Sequence, residues 1–260
     1  MKTHRTRRAG SAQYCPAGLA TACAKVLVLA ADSASNLADV QSTLRATGAF
    51  ATVDTFAAQS AGNDGGAGTP SAAQLAAYDA VLTYNCGEYP FGDAMLMGDR
   101  LAAYHDQGGG VVVAEAANTV DRRLQGAYGA VANGYALMDY ATGGYSGYAD
   151  SLGEVVEQQS PLMTGVASFS AENAWQSTAN VVAGRGVVVA RWRNGQPLVL
   201  RGTRGGRTLV ELNFYPLSTR ARPNSLWTGD GGLLLRNALK FSRCMPCGMG
   251  MYGMGAGDMG

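Results

Sequence analysis

Seven consecutive residues, Lys25-Val26-Leu27-Val28-Leu29-Ala30-Ala31, carry no polar side chain after the first. Such a run has no polar face to turn to water. As a strand it must be covered on both sides, which is the situation of a central strand in a parallel sheet. Asp32 and Ser33 end the run and can cap a following helix, in which Leu37, Val40 and Leu44 recur at helical spacing. Gly48 stops that helix, and 51–56 reads as a second strand. A Gly-rich loop over 59–70 leads to a short helix at 71–77 and a third strand at 79–84. Asp93 opens a helix through Leu96, Leu101 and Tyr104, Gly108-Gly109-Gly110 closes it, and 111–115 is another buried strand. Strand and helix in alternation predict a right-handed parallel α/β sheet. Val28, Leu82 and Val112 are expected inside it, with Phe241 on a helix packed against it.

The second half has a different texture. Over 116–150 the chain is rich in Gly and Tyr, with Tyr128, Tyr135, Tyr140, Tyr145 and Tyr148 but little periodicity, and is expected to be a long excursion. The segments 186–193, 196–201 and 208–212 read as strands. Asn194-Gly195 favours a two-residue hairpin between the first two, and Gly205-Gly206 turns the next. A closing helix is expected over 230–241. The chain has 260 residues, enough for one good-sized core. The organisation expected is a basic, cysteine-containing flank at 1–23, one domain at 24–242, and a Cys-, Gly- and Met-rich tail at 243–260.

Charge narrows the function classes. A formal net charge of +1 gives no broad field for nucleic acid, and no apolar run is long enough to span a bilayer. Residues 1–8 are strongly basic, but Lys25 interrupts the only apolar stretch that could serve as a signal sequence. Four of the five cysteines, Cys15, Cys23, Cys244 and Cys247, lie in the flanks and are expected to be oxidised, with Cys86 a free thiol. Together with a charged fraction of only 15%, this suits a secreted or cell-surface setting. Cys244-Met245-Pro246-Cys247 has zinc-knuckle spacing but no second pair to complete four ligands. The tail methionines are soft enough for Cu(I), yet a Gly-rich tail accounts for them without a metal. No metal or cofactor is expected.

Three stretches carry a family resemblance: the opening strand at 25–32; the block YDAVLTYNCGEYPFGDAMLMGDRLAAYHDQGGGVVVAE; and the region from Gly205, with LNFYPLS and GDGGLLLRNAL. The chain resembles the class I glutamine amidotransferase-like superfamily, particularly its ThuA-like branch. The resemblance implies a flavodoxin-like three-layer α/β sandwich with a mostly parallel central sheet and late β-hairpins. Ligands in such sheets bind beyond the carboxyl ends of the strands. Those ends offer Asp32 and Ser218, and the candidate ligand-binding residues Asn85, Cys86, Glu88, Glu115, Asn118, Asn213 and Tyr215. CMPCGMGMY resembles the opening of the short cysteine-rich repeats of surface receptors, and Cys15-Pro16-Ala17-Gly18 resembles their ends.

The family's chemistry needs a cysteine on a strand-to-helix elbow beside a histidine that a carboxylate orients. The elbow position here reads Ala114-Glu115-Ala116-Ala117, and no histidine follows the late strand at 213–216. Of two histidines, His4 lies in the basic flank and His105 near the end of a helix that runs to the opposite edge of the sheet. The Cys-His-Glu triad is therefore absent and no catalytic residue is assigned. Cys86 reads as a small loop residue without a base. Glu115 can bind a ligand hydroxyl or cap the next loop. The tyrosines of 128–148 can stack on sugar rings or pack a long loop. Two functions follow: a non-catalytic recognition or structural module for a small-molecule, carbohydrate or protein ligand, and a divergent amide or carbohydrate hydrolase using Cys86 or a cleft carboxylate.

Overall fold

The computed structural model describes residues 25–223 and 226–243. Its parallel half begins with β1 (Lys25–Ala31), α1 (Ala34–Ala46), β2 (Thr52–Ala57), α2 (Ala72–Ala76), β3 (Ala80–Asn85), α3 (Ala94–Asp106) and β4 (Gly110–Ala114). A short α4 (Gly126–Gly129) precedes β5 (Tyr145–Ser146), β6 (Asp150–Val155), β7 (Phe169–Ala171) and β8 (Gln176–Ser177). The chain closes with β9 (Val187–Trp192), β10 (Pro197–Arg204), β11 (Arg207–Leu212), β12 (Trp227–Gly229) and α5 (Gly231–Ser242). The four flank cysteines lie outside the described residues, where Cys86 alone represents that residue type and is free.

Ten strands form one sheet in the order β12-β7-β6-β9-β10-β11-β4-β3-β1-β2, and β5 pairs with β8 apart from it. Val28 faces Leu82, and Leu82 faces Val112, across parallel ladders, and all three are fully buried. Alternation along β1 divides its side chains between two cores. Val26, Val28 and Ala30 pack with Leu37, Val40 and Leu44 of α1 and with Leu234, Ala238 and Phe241 of α5. Leu27, Leu29 and Ala31 pack with Leu75 of α2 and with Met97 and Leu101 of α3. An unbroken apolar strand is thus used on both faces, as its sequence requires.

The helix starts are fixed by side chains placed to take orphan amides. Ser33 Oγ accepts from Asn36 N at 3.3 Å, and Asp93 Oδ1 accepts from Leu96 N at 2.8 Å. Ser71 and Gln74 satisfy each other's backbone N–H groups as a capping box. Within α3, a Cβ at Gly98 would stand 1.8 Å from the Gln125 carbonyl oxygen, so the loop after β4 can press on this helix only through glycine.

The sheet is mixed, which corrects the expectation of a mostly parallel one. Four of its pairings are parallel (β1 with β2 and β3, β3 with β4, β4 with β11). The five others, from β11 out to β12, are antiparallel. Both expected hairpins are present, and Gly205 and Gly206 take φ of +55° and +75°, as a tight two-residue turn demands. The excursion over 116–150 is only partly a surface loop. Tyr128, Tyr135 and Tyr140 are buried over the α3 side of the sheet, with the Tyr128 and Tyr135 rings stacked at 5.2 Å. Tyr140 donates its hydroxyl proton to Glu211 Oε1 at 2.6 Å. Tyr145 and Tyr148 are exposed.

Candidate functional site

The carboxyl ends of β3 and β4 and the residues after β11 converge on a cavity of about 220 Å³. Asn85, Cys86 and Glu88 reach it from the end of β3, Glu115 from β4, and Tyr215 from the segment after β11. Five of the seven candidate residues are therefore brought together. Asn118 and Asn213 do not line the cavity. Asn213 is consumed by structure: its Oδ1 accepts from Ser177 N at 2.7 Å, and its Nδ2 donates to the Ser177 and Pro197 carbonyls at 2.9 and 2.8 Å. The Asn118 carbonyl accepts from Ser177 Oγ at 3.0 Å. These two asparagines hold β8 against the sheet and so position the neighbouring Trp175, which does line the cavity.

Two polar side chains at the inner end have unused capacity. Asn85 is 1% exposed and donates through Nδ2 to the Arg122 carbonyl at 2.7 Å, but its Oδ1 has no partner. Glu115 is 3% exposed and accepts no hydrogen bond among the described residues. The backbone amide after it donates to the Asn85 carbonyl at 3.1 Å, so the two residues sit side by side. Burial pushes the Glu115 carboxyl up to about 8, and only the positive charge of Arg122 opposes this. At neutral pH it is therefore mostly protonated and offers both a donor and an acceptor.

A second cluster lies beside this pair. Tyr215 donates its hydroxyl proton to Asp32, which also accepts from Asn36 Nδ2 at 2.8 Å and Ser33 N at 2.7 Å. Burial raises the Asp32 carboxyl despite these donors. The Cys86 thiol is half-buried and is likewise pushed up, first by burial and then by the Asp32 and Glu88 charges; the Glu88 backbone and the Tyr215 hydroxyl pull the other way. A thiol held up in this manner carries little thiolate at neutral pH. His105 is buried, and its Nε2 lies 3.2 Å from the Thr208 carbonyl, near the start of β11 and so at the opposite edge of the sheet.

The outer wall is aromatic. Tyr145 and Trp175 lie with ring centroids 5.4 Å apart and both line the cavity. A Cβ at Gly147 would come within 3.1 Å of the Trp175 ring, so this glycine lets the backbone lie close to the indole. Arg122 and Arg222 complete the lining with Thr119 and Leu226. Sequence reasoning missed Arg122, Arg222, Trp175 and Thr119, and treated Tyr145 only as one of five tyrosines. None of them sits on a periodic element, and only the fold brings 122, 145, 175 and 222 together.

No protein-family model matches the chain, and no curated protein matches it by sequence. Solved structures do match. A cytoplasmic protein of Salmonella typhimurium superposes with a TM-score of 0.55 at 14% identity, covering 84% of this chain and 98% of that one. A ThuA-like protein from Parabacteroides merdae gives 0.53 at 16% identity, over 85% and 90% of the two chains. Another from Bacteroides uniformis gives 0.52 at 15%, over 86% and 93%. The fold is ThuA-like. On this ThuA-like frame the elbow after β4 presents Glu115 and Ala116 to the cleft. Among the described residues no helix is long and apolar enough to cross a membrane, and no group of three or more acidic, His or Cys residues could hold a metal.

Proposed function

We propose that the chain is a binding module on a ThuA-like, flavodoxin-like three-layer frame. Its cleft takes a small polyhydroxylated ligand and performs no amide hydrolysis. The observation that carries this reading is the pair Asn85 and Glu115, which line the cavity with a buried Oδ1 that has no partner and a buried carboxyl that accepts no hydrogen bond among the described residues. A buried acceptor left unpaired costs about 1–3 kcal/mol, so two neighbours in that condition are best accounted for by a ligand that satisfies them. The Tyr145–Trp175 wall supports a ligand with an apolar ring face, such as a sugar. The cysteine-bearing flanks support an oxidising, extracellular setting for this domain.

A hydrolase reading has one observation in its favour, because a carboxyl near 8 is matched to general acid work. Cysteine chemistry lacks that support: the Cys86 thiol is held protonated, and no histidine among the described residues stands at this edge. The test is ammonia release from glutamine and simple amides by the purified protein and by Cys86→Ala. No turnover by either is expected. Turnover that the substitution abolishes would replace the binding reading with the hydrolase one.

A further inference from the structure

Arg122 lines the cavity, yet its guanidinium makes no ion pair and no hydrogen bond among the described residues. It lies over Gly87, with Nη2 3.9 Å from where a Cβ would stand, so the missing side chain leaves its face open to the cleft. Its backbone is tied down, the amide donating to the Thr119 carbonyl at 3.1 Å and the carbonyl accepting from Asn85 at 2.7 Å. The root of the side chain is thus fixed beside Asn85, whose Oδ1 has no partner, and Glu115, whose carboxyl feels its charge, while the guanidinium N–H groups stay unpaired among the described residues. Arg222 adds a second guanidinium to the lining, also without an ion pair among the described residues. A planar guanidinium with free N–H groups recognises carboxylates and phosphates through paired hydrogen bonds.

We propose that the ligand is an acidic monosaccharide: its carboxylate pairs with Arg122, its hydroxyls meet Asn85 and Glu115, and its ring face lies on Trp175 and Tyr145. This inference rests on the binding reading above and adds the ligand's charge. The charges that oppose it are placed where they act weakly. Glu88 is exposed at the mouth of the cavity, and the Asp32 carboxylate sits behind the hydroxyl of Tyr215. Glu115 is mostly protonated at neutral pH, so it donates a hydrogen bond to the ligand instead of repelling it. The cavity, at about 220 Å³, is on the scale of a small molecule.

The experiment is calorimetric titration at pH 7 with three probes of one size: D-glucuronate, D-glucose and D-glucosamine. D-Glucuronate is expected to bind at least tenfold more tightly than D-glucose, with D-glucosamine weakest. Arg122→Gln removes a side chain without partners, so the fold is expected to keep its melting temperature. That variant is expected to lose tenfold or more in D-glucuronate affinity and with it the preference for the acid over D-glucose. Equal binding of acid and neutral sugar, stronger binding of D-glucosamine, unchanged acid binding in Arg122→Gln, or no binding of any probe would each overturn the proposal. The two readings fail differently. Binding of D-glucose alone removes the acid and leaves the cleft a binding site, whereas no binding of any probe removes the binding reading as well.

Discussion

Glu115→Gln is expected to stabilise the protein, and to do so increasingly as pH rises. The carboxyl goes from its ordinary value of 4.5 to about 8 on folding, because burial strips it of water and nothing but the charge of Arg122 compensates. The folded state therefore holds a proton that the unfolded state releases. For a group raised in this way, stability is fully present below 4.5 and is lost as pH climbs from there to about 8. At about 1.4 kcal/mol for each tenfold change in proton affinity, the accumulated loss is about 3 kcal/mol at pH 7 and about 5 kcal/mol by pH 8.5. Glutamine keeps the shape and cannot ionise. The variant should match the wild type within about 1 kcal/mol at pH 5 and exceed it by the amounts above at pH 7 and 8.5. Urea denaturation of both proteins across this range reads the difference directly, and other titrating groups such as Glu211 cancel in the comparison. Parallel pH profiles for the two proteins, or a less stable variant at pH 8.5, would refute the reasoning.

Asn213→Ala strips three buried backbone groups, Ser177 N, Ser177 O and Pro197 O, of their partner. At about 1–3 kcal/mol for an orphaned buried group, with some relaxation, the loss should be about 3 kcal/mol in denaturant titration, and unchanged stability would contradict the structural role. Cys86 should alkylate more slowly at pH 7 than a free thiol, since burial and neighbouring carboxylates suppress its thiolate. Reaction faster than that of a free model thiol would show an activated cysteine.

The parallel half of the fold was legible because its strands are buried on both faces. The run at 25–31 and the strand at 111–115 announce themselves as unbroken apolar segments, and Ser33, Ser71 and Asp93 mark the helix starts by their capping chemistry. The antiparallel extension was harder to read in proportion to its shortness. Strands β7 and β12 have three residues each, and β5 and β8 two, too few for a period of two to register. Residues 25–31 define a strand by themselves, whereas Trp227–Gly229 is a strand only because Phe169–Ala171 lies beside it.

The candidate site divides along the same line. Asn85, Cys86, Glu88 and Glu115 follow strands that could be seen in the sequence, and knowledge of where parallel sheets bind ligands was enough to find them. Asn213 follows such a strand too, but its side chain turns to the Ser177 and Pro197 backbone, a partner no spacing rule reveals. Trp175 and Arg122 reach the cavity from loops, where position is set by tertiary hydrogen bonds and by glycines such as Gly147 and Gly87. The tyrosines of 128–148 split between the two roles open to them. Those at 128, 135 and 140 pack the core, and Tyr145 alone of the five lines the cleft.

The central claim is that a buried, unpartnered carboxyl stands at the inner end of the cleft. Its most direct test is the pH titration of the Glu115 side-chain carboxyl by carbon-detected NMR in glutamate-labelled protein, assigned by comparison with Glu115→Gln. The account predicts a midpoint at about 8. A midpoint near the ordinary 4.5 would mean that the carboxylate is solvated or paired, and would contradict the account.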